Sequence, residues 1–488
     1  MFLGIDIGTS GVKAVLVDEG GTVRAQETAP LAVSRPQPGW SEQDPADWWA
    51  ATRAAVLALD AEDRRAVRAI GLAGQMHGAT LLGKGDAVLR PAILWNDGRS
   101  AAQCAELVRR EPRTHAITGN AVFPGFTAPK LLWVAEHEPE VFASVERVLL
   151  PKDYVRLLMT GDAASDMSDA SGTSWLDVGA RAWSGAMLAA TGLSEAAMPR
   201  LFEGSEATGT LLPEVARDWG MDPVPVAAGG GDNAVGAVGA GVVRAGDAFL
   251  SLGTSGVLFA AGDAFAPKPE RGVHAFCHAL PGQWHEMGVT LSAASCVDWA
   301  ARLTGLPDAG AVVAAAEKAA PASVPLFLPY LSGERTPHDD PAARGVLFGM
   351  DHDTGPAEVA RAVLEGVAFA FADALGVLND PAAISRIAVI GGGSRSALWG
   401  RILASALGRP LSYHEGAEVG PAYGAARLAM LALGAAPDDV LVAPPLLSVT
   451  EPDPGMAADL SAKRDRFAAL YAQTRDLFAR DPAQGATA

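Results

Sequence analysis

Gly4–Val12 reads GIDIGTSGV, and the same GTSGV returns at Gly253–Val257, about half the chain away. In the first copy an acid, Asp6, interrupts the apolar run Phe2–Ile7. A turn of Gly8, Thr9, Ser10 and Gly11 follows, and then a second apolar run, Val12–Val17. Two readings stand for this stretch. In the first it is a hairpin in which Gly8 and Gly11 supply unusual backbone angles and Asp6 makes local turn bonds. In the second it is a phosphate loop. Small residues let backbone N–H groups approach an anion, the hydroxyls add donors, and the acid holds a hydrated cation.

The context of the repeat favours the second. Both copies follow a short apolar run, FLGIDI and AFLSL, and both precede another, VKAVLV and VLFAA. A strand–GTSG–strand unit opening each half predicts two related domains. The first is expected over residues 1–243 and the second over 244–488, with VVRAG as the crossing and a hinge near Val242–Gly246. Two such domains leave a cleft between them, a common place for ligands.

Strand-like and helical patterns alternate along the 488 residues, which reads as α/β. Hydrophobic residues make up 49% and charged residues 19%, enough for large cores and too apolar for wholesale disorder. The net charge of −18, with no long basic run, argues against a nucleic-acid partner. It also means that an anionic ligand must be held by local donors against an unfavourable field. Cys104, Cys277 and Cys296 are odd in number and far apart, so neither a disulfide framework nor a zinc site is expected, and a reduced, cytoplasmic setting fits. No signal peptide is read at the N-terminus. No apolar run reaches the roughly 18 to 20 residues of a membrane span.

Further stretches carry chemistry-bearing residues. In VPVAAGGGDNAVGAVGAG (224–241) three glycines precede Asp232, Asn233 and a small-residue helix. Either residue could cap that helix. The glycines instead predict close approach of another group, such as a substrate, to the backbone, and an acid there is placed as a general base. GLAGQMHGATLL (71–82) sets Gln75, Met76 and His77 between glycines after a strand; His77 could be a satisfied structural histidine, or Gln75 and His77 could read hydroxyl groups of a polyol or sugar. LWNDGRS (94–100) clusters Asn96, Asp97 and Arg99 beside Trp95. IAVIGGGSRSALWGRILASALGRPLSYHE (387–415) reads strand, glycine-rich turn, helix, strand, with Gly408 as the stop. Its Gly391-x-Gly393-x-x-Ser396 is near a dinucleotide fingerprint but lacks the third glycine, and the same geometry serves an adenine nucleotide. No GxxxxGKS, HExxH or GxSxG is present.

Taken together, DIGTSGVKAVLVD, SLGTSGV and VIGGGSRS resemble the phosphate 1, phosphate 2 and adenosine motifs of the actin-like ATPase fold. The chain resembles the FGGY carbohydrate kinases more specifically. GFTAPKLLWVAEH (125–137) and GVLFGMDHDTGPAEVARAVLE (345–365) match the two family signatures. AGQMHG, LWNDGR, GGGDNAVGAVGAG and LPYLSGERTPHDDPAARG are similar to the xylulokinase branch. Glycerol kinases carry an arginine and an acid where this chain has Met76 and His77. The segment MDHDTGPAE departs from the usual run of that branch.

The resemblance implies two actin-like ATPase (ribonuclease H-like) domains flanking a central cleft, with ATP and Mg²⁺ as cofactors and D-xylulose as the sugar. It implies that Asp232 is the base receiving the proton of the sugar hydroxyl and that Asp6 positions Mg²⁺, through water. It places Thr9, Ser10 and Lys13 in the phosphate 1 loop, Gly253 and Thr254 in phosphate 2, and Gly392, Gly393 and Ser396 around adenosine. Gln75, Met76, His77, Asp232 and Asn233 fall at the sugar. A homodimer is the family expectation. The rival expectations are a kinase for another ketopentose or polyol, a dinucleotide-dependent oxidoreductase built on the Gly391 loop, and a non-catalytic sugar sensor.

Overall fold

The computed structural model describes residues 1–391, 396–416 and 419–478. Two seven-stranded sheets dominate them. In chain order the first is built from β1 (Phe2–Ile7), β2 (Gly11–Val17), β3 (Val23–Pro30), β4 (Ala69–Gly74), β5 (Ala207–Thr210), β6 (Pro225–Ala227) and β7 (Gly230–Gly231). Its order is β5-β6-β4-β1-β2-β3, with β7 also on β4. The second comprises β8 (Ala248–Leu252), β9 (Gly256–Gly262), β10 (His274–Cys277), β11 (Trp284–Thr290), β12 (Ile387–Ile390), β13 (Leu411–His414) and β14 (Leu446–Thr450), in the order β10-β11-β9-β8-β12-β13-β14.

The repeat in the sequence is a repeat in topology. β1 pairs antiparallel with β2 and parallel with β4; β8 pairs antiparallel with β9 and parallel with β12. Each GTSG is therefore the turn of a central hairpin whose first strand also begins the parallel part of its sheet. Strands buried on both faces read as continuous apolar runs. Leu3, Ile5, Ile7, Val12, Ala14 and Leu16 accordingly enter one core with Leu72 and Trp48. Leu250, Leu252 and Leu258 enter another with Val363, Val367 and Phe371.

Eight helices matter to the site: α1 (Thr127–His137), α2 (Pro151–Thr160), α3 (Asp232–Ala240), α4 (Ala294–Thr304), α5 (Pro356–Val377), α6 (Ala397–Leu407), α7 (Pro421–Ala432) and α8 (Pro454–Phe478). Helix α6 ends on Gly408 at φ 62°, the left-handed stop that the sequence predicts. Helix α7 comes from the second half yet lies on the first sheet. A Cβ at Gly4 would sit 1.8 Å from the Ala422 carbonyl oxygen, and one at Gly71 1.9 Å from that of Ala425. Gly424 of α7 meets α3 as closely, 1.9 Å from the Val235 carbonyl oxygen. Glycine at these positions lets backbones touch, so α3 and α7 form a tight pair beneath the first sheet. The chain therefore passes between the halves at 241–247, again between β13 and α7, and once more from α7 to β14. The residues beyond Phe478, read from sequence as loose chain, lie outside the described part.

Among the described residues no helix is long and apolar enough to cross a membrane.

Candidate active site

Strand register brings the first half of the site together. β4 runs parallel to β1 with Ile7 opposite Gly74, and β7 runs parallel to β4 with Gly231 opposite Gly74. Gly8–Ser10, Gln75–His77 and Asp232–Asn233 thus leave the sheet at one level, at the carboxyl ends of adjacent parallel strands, where ligands bind in α/β sheets. In the second half Ser251 of β8 lies opposite Ile390 of β12. That puts Gly253 and Thr254 beside the start of the adenosine loop. Gly392 and Gly393 lie outside the described residues. Ser396 is placed, and its hydroxyl caps α6 by accepting the Trp399 N–H at 3.1 Å.

The first turn is a hairpin, closed by the Gly8 N–H on the Gly11 carbonyl at 3.0 Å. Neither Gly8 nor Gly11 takes a positive φ, so the expected unusual angles are absent. Gly11 is needed because β3 passes close by: a Cβ there would lie 2.8 Å from the Ala29 carbonyl oxygen. The three glycines before Asp232 let other groups approach closely: the Leu72 backbone lies against Gly229, Ser168 against Gly230 and Met76 against Gly231. Gly229 alone of the three takes a left-handed backbone, φ 71°.

Asp6 stands directly across the hairpin from Lys13. Its Oδ1 is buried and accepts no hydrogen bond. Burial first, and then the charge of Asp232, push its carboxyl up to about 7, while Lys13 pulls the other way. The second hairpin has Ser251 and Leu258 at the matching places, so the acid–lysine pair belongs to the first turn. Asp232 is the first residue of α3, with Gly231 as its N-cap. Its Oδ1 accepts the Asn233 backbone N–H at 2.8 Å and the Asn233 side-chain amide at 3.0 Å. Burial raises it to about 6 against the pull of those two bonds.

The remaining residues divide. Gln75 is buried beneath the first turn, accepting the Thr9 hydroxyl at 2.8 Å and donating to Gln43 at 2.9 Å. The Thr9 hydroxyl also accepts the Trp95 indole N–H at 3.0 Å, and Gln43 donates to the Thr9 carbonyl at 2.8 Å. Gln75 and Thr9 thus brace the loop. Ser10 and Thr254 are exposed at the two turn tips. The Thr254 carbonyl is held by the Ala293 N–H at 3.0 Å and the Ser295 hydroxyl at 2.8 Å, at the start of α4. His77 is held at φ 70° and stacks on Phe126, 4.7 Å between ring centres. Its Nδ1 is 2.7 Å from the Gly172 carbonyl. Burial and nearby Lys130 bring its pKa down to about 3, so the ring is neutral. Nδ1–H must then donate to Gly172, which leaves Nε2 as an acceptor. Asp97 and Arg99 do not join this site. They pair with each other at 2.7 Å, and Arg99 lies over Trp40 and reaches Glu42.

Sequence reasoning missed what lies behind Asp232. The Gly231 N–H donates to the Ser168 hydroxyl at 3.1 Å, and Ser168 donates to Asp166 at 2.6 Å. Asp166 is bound by the fully buried Lys152, 2.8 Å away, which also holds Asp153 and Asp169. The only sequence signal was the run of acids and serines in SDMSDAS (165–171), which lies far from Asp232 along the chain.

Among the described residues no group of three or more His, Cys, Asp or Glu side chains is placed to grip a metal ion. The orphaned Asp6 Oδ1, in a site shared with a second acid, fits a hydrated divalent cation held by one carboxylate.

Residues 1–239 match the family model for the N-terminal domain of the FGGY family of carbohydrate kinases, and residues 248–433 match that for its C-terminal domain. The chain is 56% identical over 487 residues to the xylulose kinase of Escherichia coli strain K12, covering 98% of this chain and all of that one. A solved Brucella ovis protein, described as a xyloylose kinase, superposes with a TM-score of 0.94 at 50% identity, over 98% of this chain and 99% of that one. The xylulose kinase of Rhodospirillum rubrum superposes with a TM-score of 0.90 at 31% identity, over 98% of this chain and all of the other.

Proposed function

The chain belongs to the FGGY family of carbohydrate kinases, and on that premise we propose that it transfers the γ-phosphoryl group of ATP to D-xylulose, with Asp232 as the base. The reaction, ATP-dependent phosphorylation of xylulose, follows from full-length similarity to xylulose kinases. The D-configuration, the product D-xylulose 5-phosphate and the roles of individual residues are our reading. The observation that carries the mechanism is the placement of Asp232, partly open, hydrogen-bonded on one oxygen only by Asn233, at one level with the phosphate 1 turn.

Phosphoryl transfer needs positioning and charge stabilisation more than covalent help. A sugar hydroxyl is far less acidic than a carboxyl group. Asp232 therefore need not remove the proton in advance; it accepts it as the new bond to phosphorus forms. Near neutral pH a carboxyl titrating at about 6 is mostly ionised and still a better proton acceptor than an ordinary carboxylate. His77 presents Nε2 to a sugar hydroxyl. Lys13, opposite Asp6, offsets charge on the phosphates, and the turn tips Ser10 and Thr254 add hydroxyl donors. Kinases of this family use ATP and typically a divalent metal. We take the ion to be Mg²⁺, held by Asp6 through water, where it would neutralise phosphate charge. A homodimer and a cytoplasmic location complete the reading; sedimentation at micromolar concentration tests the first.

The test is ADP release with Mg-ATP across D-xylulose, L-xylulose, D-ribulose, L-ribulose and glycerol, with Asp232→Ala alongside. Preference for D-xylulose that disappears in the variant supports both substrate and base. Preference for another sugar keeps the reaction and replaces the substrate. No sugar-dependent release from folded protein overturns the reading.

A further inference from the structure

The segment GERTPHDD (333–340) has none of the roles above, yet it is heavily braced. Buried Glu334 accepts the Thr290 hydroxyl at 2.6 Å and the Leu291 N–H at 3.0 Å. The Thr336 hydroxyl donates to the Gly272 carbonyl at 2.8 Å and accepts the Val289 N–H at 2.9 Å. From behind, Tyr471 of α8 donates to Asp340 at 2.9 Å and stacks on His338, 3.7 Å between ring centres. Between these anchors one long side chain, Arg335, crosses toward the first half.

Its position there is built. The guanidinium lies 4.4 Å over the ring of Phe123, and one of its terminal nitrogens is 3.1 Å from His274 Nε2. His274 is itself tied to the first half. Its Nδ1 is 3.3 Å from the Asn120 side-chain oxygen, and Asn120 pairs with the backbone of Ala275 on edge strand β10 at 3.0 and 3.1 Å. The buried imidazole is neutral, so Nδ1–H donates to Asn120 and Nε2 accepts from Arg335. Phe123 and His274 both pack on Phe126, and Phe126 is the ring on which His77 stacks. Arg335 thus adjoins the sugar-reading histidine by way of two aromatic contacts. None of its nitrogens is a sealed, unpartnered atom. Beyond His274 and the stack, the charge of Arg335 is drawn by Glu334 and Asp339, neither of which takes a hydrogen bond from the guanidinium, so outer N–H groups of the fork remain for a ligand.

We propose that Arg335 is a specificity-determining residue of the sugar site, donating from the second half to the carbonyl end of the ketose, remote from the hydroxyl that Asp232 deprotonates. The direction follows from packing. Met76 lies against Gly231, directly before Asp232, and His77, Phe126 and then Phe123 with Arg335 lead away from it. The charge of Arg335 also acts on His77. A planar, fixed guanidinium suits an sp² oxygen flanked by a hydroxyl, the C1–C2 end of a 2-ketose. Because the residue belongs to the second half, the sugar site is complete only with both halves in place.

This inference rests on the sugar-kinase reading, and the experiment separates the two. Steady-state kinetics are measured for wild type, Arg335→Gln and Arg335→Lys with D-xylulose and with xylitol, in which the carbonyl is reduced. We expect the KM for D-xylulose to rise about tenfold or more in Arg335→Gln, the loss of a charge-assisted hydrogen bond. We expect the kcat to change far less, and the preference for ketose over alditol to collapse. Arg335→Lys should restore part of that preference. It decides the matter if the Gln variant does not fold, since a merely structural role would lower kcat for both acceptors alike. An unchanged ketose-to-alditol ratio in folded variants overturns the proposal. A wild type that phosphorylates neither D-xylulose nor any other ketopentose overturns the sugar-kinase reading instead.

Discussion

Asp232 ties the chemistry to measurable acid–base behaviour. Its carboxyl must be ionised to take a proton, so kcat/KM is expected to fall as pH drops through about 6. Asn233 opposes that shift with two hydrogen bonds, so Asn233→Ala should move the acid limb to higher pH. Asp232→Asn keeps the shape and loses the base, and the expected cost in kcat is about 10²- to 10⁴-fold. A folded variant with near-normal turnover would remove Asp232 from that role. The same shift has a consequence for stability. The folded carboxyl binds its proton more tightly than the ordinary value of 3.8, so its charge opposes folding above about pH 6 and ceases to do so toward pH 4. Asp232→Asn should therefore melt higher than the parent protein at pH 8, with the gap closing near pH 4, as thermal unfolding followed by circular dichroism would register. A buried acid held at the expense of stability is expected where function sets the residue, as proposed for Asp232.

The elements that carry these residues depend on backbone contact. Helix α7 rests on β1 at Gly4 and on β4 at Gly71, and it crosses α3 at Gly424. A methyl group at Gly71 would overlap a main-chain oxygen that no rotamer change can move aside. Gly71→Ala should cost about 1–3 kcal/mol of stability, as forced overpacking does, and appear as a lowered urea midpoint. Because α3 begins with Asp232 and is braced by α7, the shift should also lower kcat. The strands β1, β2, β8 and β9 were legible in sequence from their apolar runs and their shared turn, since a strand buried on both faces has a local signature. The role of Gly4 was not legible: a glycine in a strand looks the same whether it serves a turn or a helix more than 400 residues later.

At the scale of the whole molecule the halves are joined by three passages of chain, by the packing of α7 on the first sheet and by hydrogen bonds that include those of β10 to Asn120 and Ser171. We expect them to close on the cleft when sugar and nucleotide bind, with the 241–247 passage as one hinge, since shutting water out protects ATP from hydrolysis. Small-angle scattering with D-xylulose and a non-hydrolysable ATP analogue should show a smaller radius of gyration than the free protein. An unchanged radius would exclude closure of that size. The division at residues 243 and 244 describes the order of the chain, while α7 shows the second half reaching back into the first.

Some features were settled by local chemistry. The duplicated GTSGV, the acid before it and the acid after the triple glycine are short patterns whose residue types limit what they can do. They carried the fold class, the family and the principal candidate residues. The tertiary structure decided which of those residues are bound up with neighbouring protein groups. Gln75 and Thr9 turned toward each other beneath the loop, and the triple glycine admitted the Leu72 backbone and the side chains of Ser168 and Met76. Arg335, carried on a distant loop, came to lie over Phe123, which packs on the Phe126 ring that supports His77. The reason is physical: a motif specifies donors and acceptors along one stretch of chain. Whether each is satisfied internally depends on groups brought near by strand register and helix packing, at separations no local pattern encodes.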